Sequence, residues 1–439
     1  MLYENLKDFT GKTCPCGKDH NVFVPELCIK NGAINEMPFF IEKFGAKKAF
    51  IIADENTYRA AGKKVCDILK KKAFQFVEYV ISGTIKPDEY TVGRVVLHFV
   101  NDCDIIIAVG SGVINDTGKI LSAIAKIPYI IVATAPSMDG YASKSSSVDV
   151  DGLKVSLSSR CADVIIGDLE VLKNAPLKML KAGLGDMLAK YISIAEWRIA
   201  REIVGEYYCE EIAKLVRTAL KKCIDNAKGL LERDETAVKA VFEGLVLCGI
   251  AMSFAGLSRP ASGVEHYFSH IWDMRGLEFG SKTELHGLQC AVATLIAAGL
   301  YENIAKVTPS EKKALDFVSD FNYDAWSKKL SSFLGGAANI MIANERIEKK
   351  YDKEKHAERL RNIIDKWDVI LKIVREEIPE RKKILKILRF IKAPETPEEL
   401  GIDCDLFTTF EATKDIRDKY VLSRLTWDLG IMEEVETWL

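Results

Sequence analysis

Asp104-Ile-Ile-Ile-Ala-Val109-Gly110-Ser111-Gly112-Val113-Ile114-Asn115-Asp116-Thr-Gly-Lys119 reads in order as a buried strand, a tight glycine turn and the start of a helix running from about Asn115 to Ala125. The run Ile105 to Val109 is β-branched and shows no polar alternation, the pattern of a strand covered on both faces. Gly110 and Gly112 let the backbone approach a ligand closely, and the free N–H groups of a first helical turn suit an anion. A phosphate-binding turn and a plain glycine turn of a doubly wound sheet both fit this stretch. It is not the Rossmann fingerprint, because Asn115 stands where the third glycine belongs. It is not a Walker loop either: Val113 holds the first-glycine position, and Ile120 follows Gly118-Lys119.

The same grammar extends outward. Ala49–Ala53, Phe76–Ile81 and Tyr129–Ala133 are further apolar runs, and Thr57–Lys72 and Asp88–Phe99 are helical patterns between them. Apolar strands alternating with helices predict a parallel sheet with helices on both faces. Beyond about Ala175 the β-branched runs give way to helical patterns at Leu184–Glu202, Glu210–Leu231, Glu235–Leu257 and Leu288–Tyr301. The expected architecture is therefore an α/β dinucleotide-type domain over residues 1–175 and an all-helical domain over 176–439. Glu345–Arg361 reads as a solvated helix face, and Pro394 and Pro397 break the chain before a last pair of helices.

Composition narrows the function classes. The chain has 439 residues, 48% hydrophobic and 28% charged, with 61 basic and 63 acidic residues giving a net charge of −2. That is globular composition without the positive excess of a nucleic-acid binder. The opening MLYENLKDFTGKTC has no basic-then-apolar layout of a signal peptide, and the apolar run Leu245–Leu257, interrupted by Gly249 and Gly256, is shorter than a membrane span. Eleven cysteines spread from Cys14 to Cys404 show no paired framework and suit a reducing compartment. The expectation is a cytoplasmic protein with no membrane or nucleic-acid partner.

Four further features carry chemistry. After the strand ending at Ala133, the turn Thr134-Ala-Pro-Ser137-Met-Asp139-Gly-Tyr-Ala-Ser143 gathers hydroxyls and a carboxylate at a strand's C-terminal end, where open α/β sheets place ligands. Asp54, closing the strand Ala49–Ala53, suits either a ribose diol or a helix N-cap. Three of the chain's six histidines fall in one short stretch: His266 and His270, four apart on one helix face, and His286 at the mouth of an apolar helix. Imidazoles in this number suit zinc, nickel or iron(II), although three separate structural histidines fit the same spacing. Tyr267 excludes the H-E-x-x-H protease motif. In Lys181-Ala-Gly-Leu-Gly-Asp186-Met-Leu-Ala-Lys190, Asp186 sits among apolar residues, which fits a metal-bound carboxylate or a dipole-stabilised aspartate.

Together the order G-S-G-x-x-x-D-T-x-K, T-A-P-S-x-D-G-x-A-S, G-L-G-D-x-x-A-K, E-H-x-x-x-H and H-G resembles the sn-glycerol-1-phosphate dehydrogenases. These are relatives of the iron-containing alcohol dehydrogenases, glycerol dehydrogenase and dehydroquinate synthase. The likeness runs from Cys-Pro-Cys-Gly near the start to Leu425-Thr-Trp-Asp-Leu-Gly430, and Ser258-Arg-Pro-Ala-Ser-Gly-Val-Glu-His266 favours the bacterial glycerol-1-phosphate branch.

The resemblance implies that Asp186, His266 and His286 bind one divalent metal, zinc, nickel or iron. It implies that Asp139, Asp186 and His270 line the substrate pocket. Gly110, Ser111, Gly112, Val113, Ile114, Asp116, Thr134, Ser137 and Ser143 would hold the dinucleotide, with Asp54 near the adenosine ribose. A carboxylate there repels a 2′-phosphate, so NAD(H) is expected over NADP(H). The implied reaction is reversible reduction of dihydroxyacetone phosphate to sn-glycerol 1-phosphate by a homodimer or larger oligomer. Arg259, Lys144 and Lys154 are candidate cations for the substrate phosphate.

Three other functions compete. A glycerol or polyol dehydrogenase would lack the phosphate pocket. A dehydroquinate-synthase-like cyclase would need more basic residues than these motifs supply. A nucleotide-binding relic would have lost a ligand, whereas Asp186, His266 and His286 are all present. Cys14-Pro-Cys16-Gly-Lys-Asp-His20, with Cys28 beyond it, departs from the usual C-x₂₋₄-C zinc spacing and reads as a plain turn before a strand.

Overall fold

The computed structural model describes Leu6, residues 13–150 and residues 153–439; most of the opening segment read above for a signal peptide lies outside these residues. Among the described residues eight strands are formed: β1 (Glu26–Lys30), β2 (Lys48–Asp54), β3 (Gln75–Ile81), β4 (Ile105–Gly110), β5 (Tyr129–Ala133), β6 (Ser145–Val150), β7 (Leu153–Ser158) and β8 (Val164–Asp168). Six of them make one sheet in the order β1-β8-β5-β4-β2-β3, and every pair in it is parallel. β6 and β7 form a separate antiparallel hairpin. The α/β reading of the N-terminal region and the helical reading of the remainder both hold.

The chain divides into two compact units. The first comprises residues 1–187 and 218–257, and the second residues 188–217 and 258–439. The last strand ends at Asp168, close to the sequence boundary at 175. The helices Leu177–Leu188 and Glu235–Ala255 nevertheless fall largely or wholly in the unit that holds the sheet. Their apolar side chains cover it: Phe242 lies so close to Gly167 in β8 that a Cβ there would come within 2.4 Å of the ring.

One face of the sheet, with Ile51, Ile107, Val109, Ile130, Val132, Val164 and Ile166, packs against Ile34, Met37, Phe40, Val65, Cys66 and Leu69. The alternate strand residues Ile52, Ile106, Ala108, Ile131 and Ile165 are also fully buried. That two-sided burial is why these strands read as unbroken apolar runs. Glu235–Ala255 has the length and hydropathy to cross a membrane, longer than the run Leu245–Leu257 suggests, but 83% of its most apolar window is buried within the fold. It is a core helix.

Several boundaries differ from the sequence reading. The helix after β4 begins at Gly112, not near Asn115. Leu184–Glu202 is two helices, Leu177–Leu188 and Lys190–Val204, broken at Ala189. The supposed single face Glu345–Arg361 is also two helices. Lys349, at φ 51°, ends the first, and Asp352 caps the second with its carboxylate on the Glu354 and Lys355 N–H groups. Glu345 and His356 are buried within it, so that stretch is not simply a solvated face. After Pro397, three helices follow the short Pro397–Leu400 turn, rather than two.

Candidate functional site

The order of the sheet locates the ligand end of the first unit. β2 leads outward to β3, while β4 leads the other way to β5, so the C-terminal ends of β2 and β4 flank the point where the winding reverses. Open α/β sheets take ligands at that point. Asp54 ends β2, and Gly110-Ser111-Gly112 ends β4.

The helix Gly112–Ala125 is left without a side-chain cap, because Ser111 Oγ is engaged with Ser137 Oγ at 2.6 Å. Asn115 N–H is bonded within the helix, to the Ser111 carbonyl at 2.8 Å. The amides of Gly112, Val113 and Ile114 precede it and are the donors a helix start cannot satisfy internally. The two glycines differ in their reason. A Cβ on Gly110 would stand 2.4 Å from Ile114 Cβ, whereas one on Gly112 would meet nothing nearer than Met138 Cγ at 3.9 Å. Gly110 is required by packing. Gly112 faces open space.

The following turn is organised by a residue the sequence reading passed over. Lys119 is fully buried, and its ammonium donates to the Gly140 carbonyl (2.6 Å), the Ser145 carbonyl (2.9 Å), Ser143 Oγ (3.0 Å) and Asp116 Oδ1 (3.1 Å). It pins residues 139–145 onto the helix. Its signal was the D-T-x-K spacing, which puts Asp116 and Lys119 one turn apart. Asp116 spends its second oxygen on the Ser147 N–H at 3.2 Å, so its carboxylate is turned toward Lys119 and β6. Burial pushes the Asp116 carboxyl up, with Lys119 opposing. Ser143 donates to the Gly140 and Ser145 carbonyls, which makes it part of the same strut. Asp54 forms a capping box: its Oδ1 accepts from Asn56 N–H (2.7 Å) and Thr57 N–H (3.1 Å), and Thr57 Oγ1 accepts from Asp54 N–H (3.0 Å).

Asp186 is fully buried, and its Oδ2 accepts the Asp139 N–H at 2.9 Å. Carboxylate oxygens of Asp139 and Asp186 lie within 4.8 Å of each other. A Cβ on Gly183, one turn earlier, would stand 1.8 Å from the Pro136 carbonyl oxygen. This glycine therefore lets the helix bearing Asp186 close onto the Thr134–Ser143 turn.

In the second unit, His266 and His270 share a face of the helix Val264–Phe279, and His286 is the first residue of the helix His286–Ile304. The His266 and His286 rings are 5.0 Å apart edge to face, and His270 stacks on His286 at 6.0 Å. Each of the closer two has Nδ1 held by an oxygen: His266 by Glu265 Oε1 and His286 by Ser269 Oγ, both at 2.8 Å. Orienting partners of this kind fix ligating histidines. Cys290, one turn after His286, brings Sγ to 3.5 Å from His286 Nε2, and ligand atoms of His266, His286 and Cys290 lie within 4.8 Å of one another. Sequence reading missed Glu265, Ser269 and Cys290; the four-residue spacing of Cys290 from His286 was the available clue.

The start of this helix is clamped by two buried carboxylates. Glu265 Oε1 accepts Gly263 N–H (2.8 Å), while Glu196 accepts Val264 N–H (2.9 Å) and Leu422 N–H (2.8 Å). Burial raises both carboxyls, and for Glu196 their mutual repulsion adds to it. Burial beside Arg259 and Arg417 lowers the Lys419 ammonium to about 7. Arg259 itself is fully buried, with Nε and Nη2 on the two carboxylate oxygens of Glu206 at 2.8 and 2.5 Å. That pairing occupies Nε and Nη2, while Nη1 is buried without a hydrogen-bond partner among the described residues.

Comparison with known proteins gives this arrangement its class. The family of iron-containing alcohol dehydrogenases matches residues 28–176. Among solved structures, the whole fold is similar to glycerol dehydrogenase from Schizosaccharomyces pombe, with a TM-score of 0.58 and 16% identity over 95% of this chain and 90% of that one. It is likewise similar to a 1,3-propanediol oxidoreductase, with a TM-score of 0.60 and 16% identity over 95% and 97%.

Curated relatives are closer in sequence. The glycerol-1-phosphate dehydrogenase (NAD(P)+) of Halalkalibacterium halodurans is 30% identical over 383 residues, 86% of each chain. That of Methanosarcina mazei is 36% identical over 278 residues, 63% of this chain and 76% of its own. The chain belongs to the glycerol-1-phosphate dehydrogenase family and is an oxidoreductase.

Proposed function

We propose that the protein reduces dihydroxyacetone phosphate to sn-glycerol 1-phosphate, reversibly, with NADH as the preferred hydride donor and one divalent metal ion. The observation that carries the metal is the pair of neighbouring imidazoles whose Nδ1 atoms are each held by an oxygen, the way ligating histidines are oriented. In this reading His266 and His286 are the imidazole ligands. Asp186 is the carboxylate ligand, assigned from its motif and from its buried place against the Asp139 turn. The donor set suits zinc, nickel or iron(II). When bound, the ion supplies Lewis-acid polarisation of the substrate C2 carbonyl. Bound NADH would supply the hydride that reduces C2.

The chain's own residues do the rest. The uncapped amides of Gly112, Val113 and Ile114 take the dinucleotide's pyrophosphate. Thr134 and Ser137 line the nicotinamide side, and Asp54, through the carboxylate oxygen its cap does not use, takes the adenosine ribose. Asp116 and Ser143 act by holding the turn in place through Lys119. Asp139 lines the substrate pocket. His270, stacked on His286 and only partly buried, delivers a proton to the C2 oxygen. Lys144, exposed at the end of the turn, and Lys154 are the candidates for the phosphate. The relatives named glycerol-1-phosphate dehydrogenase (NAD(P)+) support the substrate and cofactor.

Steady-state assays with NADH, comparing dihydroxyacetone phosphate with its unphosphorylated parent, test the reading. A strong preference for the phosphorylated ketone, with sn-glycerol 1-phosphate identified by chiral analysis, is expected. Equal or better turnover of the unphosphorylated substrates would replace it with a polyol dehydrogenase.

A further inference from the structure

A second group of metal-type ligands lies outside the dinucleotide turn and the histidine helices. Residues 13–20 form a compact turn. Thr13 and Asp19 make an antiparallel bridge, Gly17 N–H donates to the Cys14 carbonyl at 2.9 Å, and Cys14 N–H donates to the Lys18 carbonyl at 3.3 Å. Gly17 takes φ +81°, which folds the chain back sharply. The turn expected from sequence is present, and its effect is to bring Cys14 Sγ, Cys16 Sγ and a ring nitrogen of His20 within 4.8 Å of one another. Cys16 Sγ is 3.3 Å from His20 Nε2. Zn–S and Zn–N bonds of about 2.3 and 2.0–2.1 Å set ligand–ligand edges of roughly 3.5–3.8 Å in a tetrahedron. Small side-chain adjustments bring the three atoms to those separations.

The tautomer of His20 matches this use. The ring is 1% exposed, and its Nδ1 lies 3.0 Å from the Phe254 carbonyl oxygen. A carbonyl accepts and does not donate, so Nδ1 carries the proton. Nε2, facing Cys16 Sγ, therefore presents a lone pair. Ligating histidines are held this way, with the second ring N–H given to an oxygen. A surface turn with no ligand has no need of a buried imidazole of fixed tautomer beneath two cysteines.

We infer that Cys14, Cys16 and His20 bind a structural zinc ion, separate from the catalytic metal, with the fourth position of the tetrahedron taken by a ligand outside this set. Two thiolates select zinc over harder divalent ions. Binding displaces one proton from each thiol. The ion staples residues 13–20 to the helix Glu235–Ala255, to which Phe254 belongs. It holds in place the segment leading into β1 without entering the hydride-transfer chemistry.

The test uses full-length protein, wild type beside the double variant C14S/C16S, reconstituted with zinc and with cobalt(II). The double variant is expected to carry an equivalent of metal less than wild type, to lose the thiolate-to-cobalt charge-transfer absorption and to keep most of its dehydrogenase activity. C290S is expected to keep that absorption. Equal metal content in wild type and double variant would overturn the assignment. If the double variant does not fold, thiol alkylation of the wild type decides. Cys14 and Cys16 protected by zinc and labelled after chelation support the site. Equal labelling with and without zinc, or a Cys14–Cys16 disulfide in the purified protein, overturns it.

Discussion

Replacing Gly112 with alanine separates the fold from the proposed cofactor site. A Cβ at this position meets only Met138 Cγ, at 3.9 Å, which is ordinary van der Waals contact. The unliganded protein therefore accommodates alanine, and helix propensity contributes a few tenths of a kcal/mol in its favour. The proposed pyrophosphate site lies against the amides of this same residue and the next two, so the added methyl group competes with the phosphate for space. Displacing a phosphate oxygen from one N–H loses a hydrogen bond to a charged group, worth about 1.5–3 kcal/mol. At about 1.4 kcal/mol per tenfold, the NADH dissociation constant rises roughly 10- to 150-fold. Titration of NADH fluorescence measures it, and the urea midpoint of the same sample measures stability. A variant as stable as wild type that binds NADH equally well would refute the placement of the pyrophosphate. Gly110→Ala is the internal contrast: its Cβ would stand 2.4 Å from Ile114 Cβ, so it should lose about 1–3 kcal/mol of stability by overpacking.

Other substitutions probe the remaining parts. Gly183→Ala places a Cβ 1.8 Å from the Pro136 oxygen, so the helix and the Thr134–Ser143 turn must separate by more than an ångström. The variant should be less stable by about 1–3 kcal/mol and show kcat lowered roughly 100-fold, read by urea unfolding and steady-state kinetics. Asp54→Asn keeps a good N-cap but removes the charge, so stability should hold while the ratio of NADH to NADPH affinity falls; an unchanged ratio would leave Asp54 a cap alone. Ser269→Ala removes the oxygen that orients His286, and metal affinity measured by competition with a chelator should drop about 10–100-fold.

A fifth prediction concerns pH. The Glu196 carboxyl is raised by burial and by Glu265, with Arg259 and backbone N–H groups opposing. A group whose folded value exceeds its unfolded one contributes stability below the unfolded value and loses it as pH rises through the folded one. Wild-type stability should therefore fall from the ordinary carboxylate range up through neutrality. Glu196→Gln should flatten that decline in urea midpoints taken across neutral pH, even though an amide facing the Val264 N–H lowers the baseline. An equal slope in both proteins would count against it.

What the sequence disclosed follows burial. β2, β4 and β5 are covered on both faces and read as unbroken apolar runs. β1 is a half-buried edge strand ending in Lys30, and the Ser145-Ser-Ser147 start of β6 lacks any β-branched pattern, so both escaped notice. β8, Val164-Ile-Ile-Gly-Asp168, is fully buried and was legible in principle. Among candidate site residues, the glycine turn and the three histidines stood out because their chemistry is local in sequence. Their supports did not, because those depend on tertiary contact. Lys119 reaches residues 21 to 26 positions away, and His20 meets a carbonyl 234 positions on. Charge pairing is equally non-local: Arg259 meets Glu206, 53 positions away.

Metal dependence is the most direct test of the central claim. The protein would be stripped with a chelator, zinc, nickel or iron(II) returned singly, and NADH oxidation with dihydroxyacetone phosphate followed in wild type and His286→Ala. Loss of activity on stripping, restoration by at least one ion in wild type and none in His286→Ala is the predicted result. Full activity in the stripped enzyme, or equal restoration in the variant, would contradict a metal held by His286.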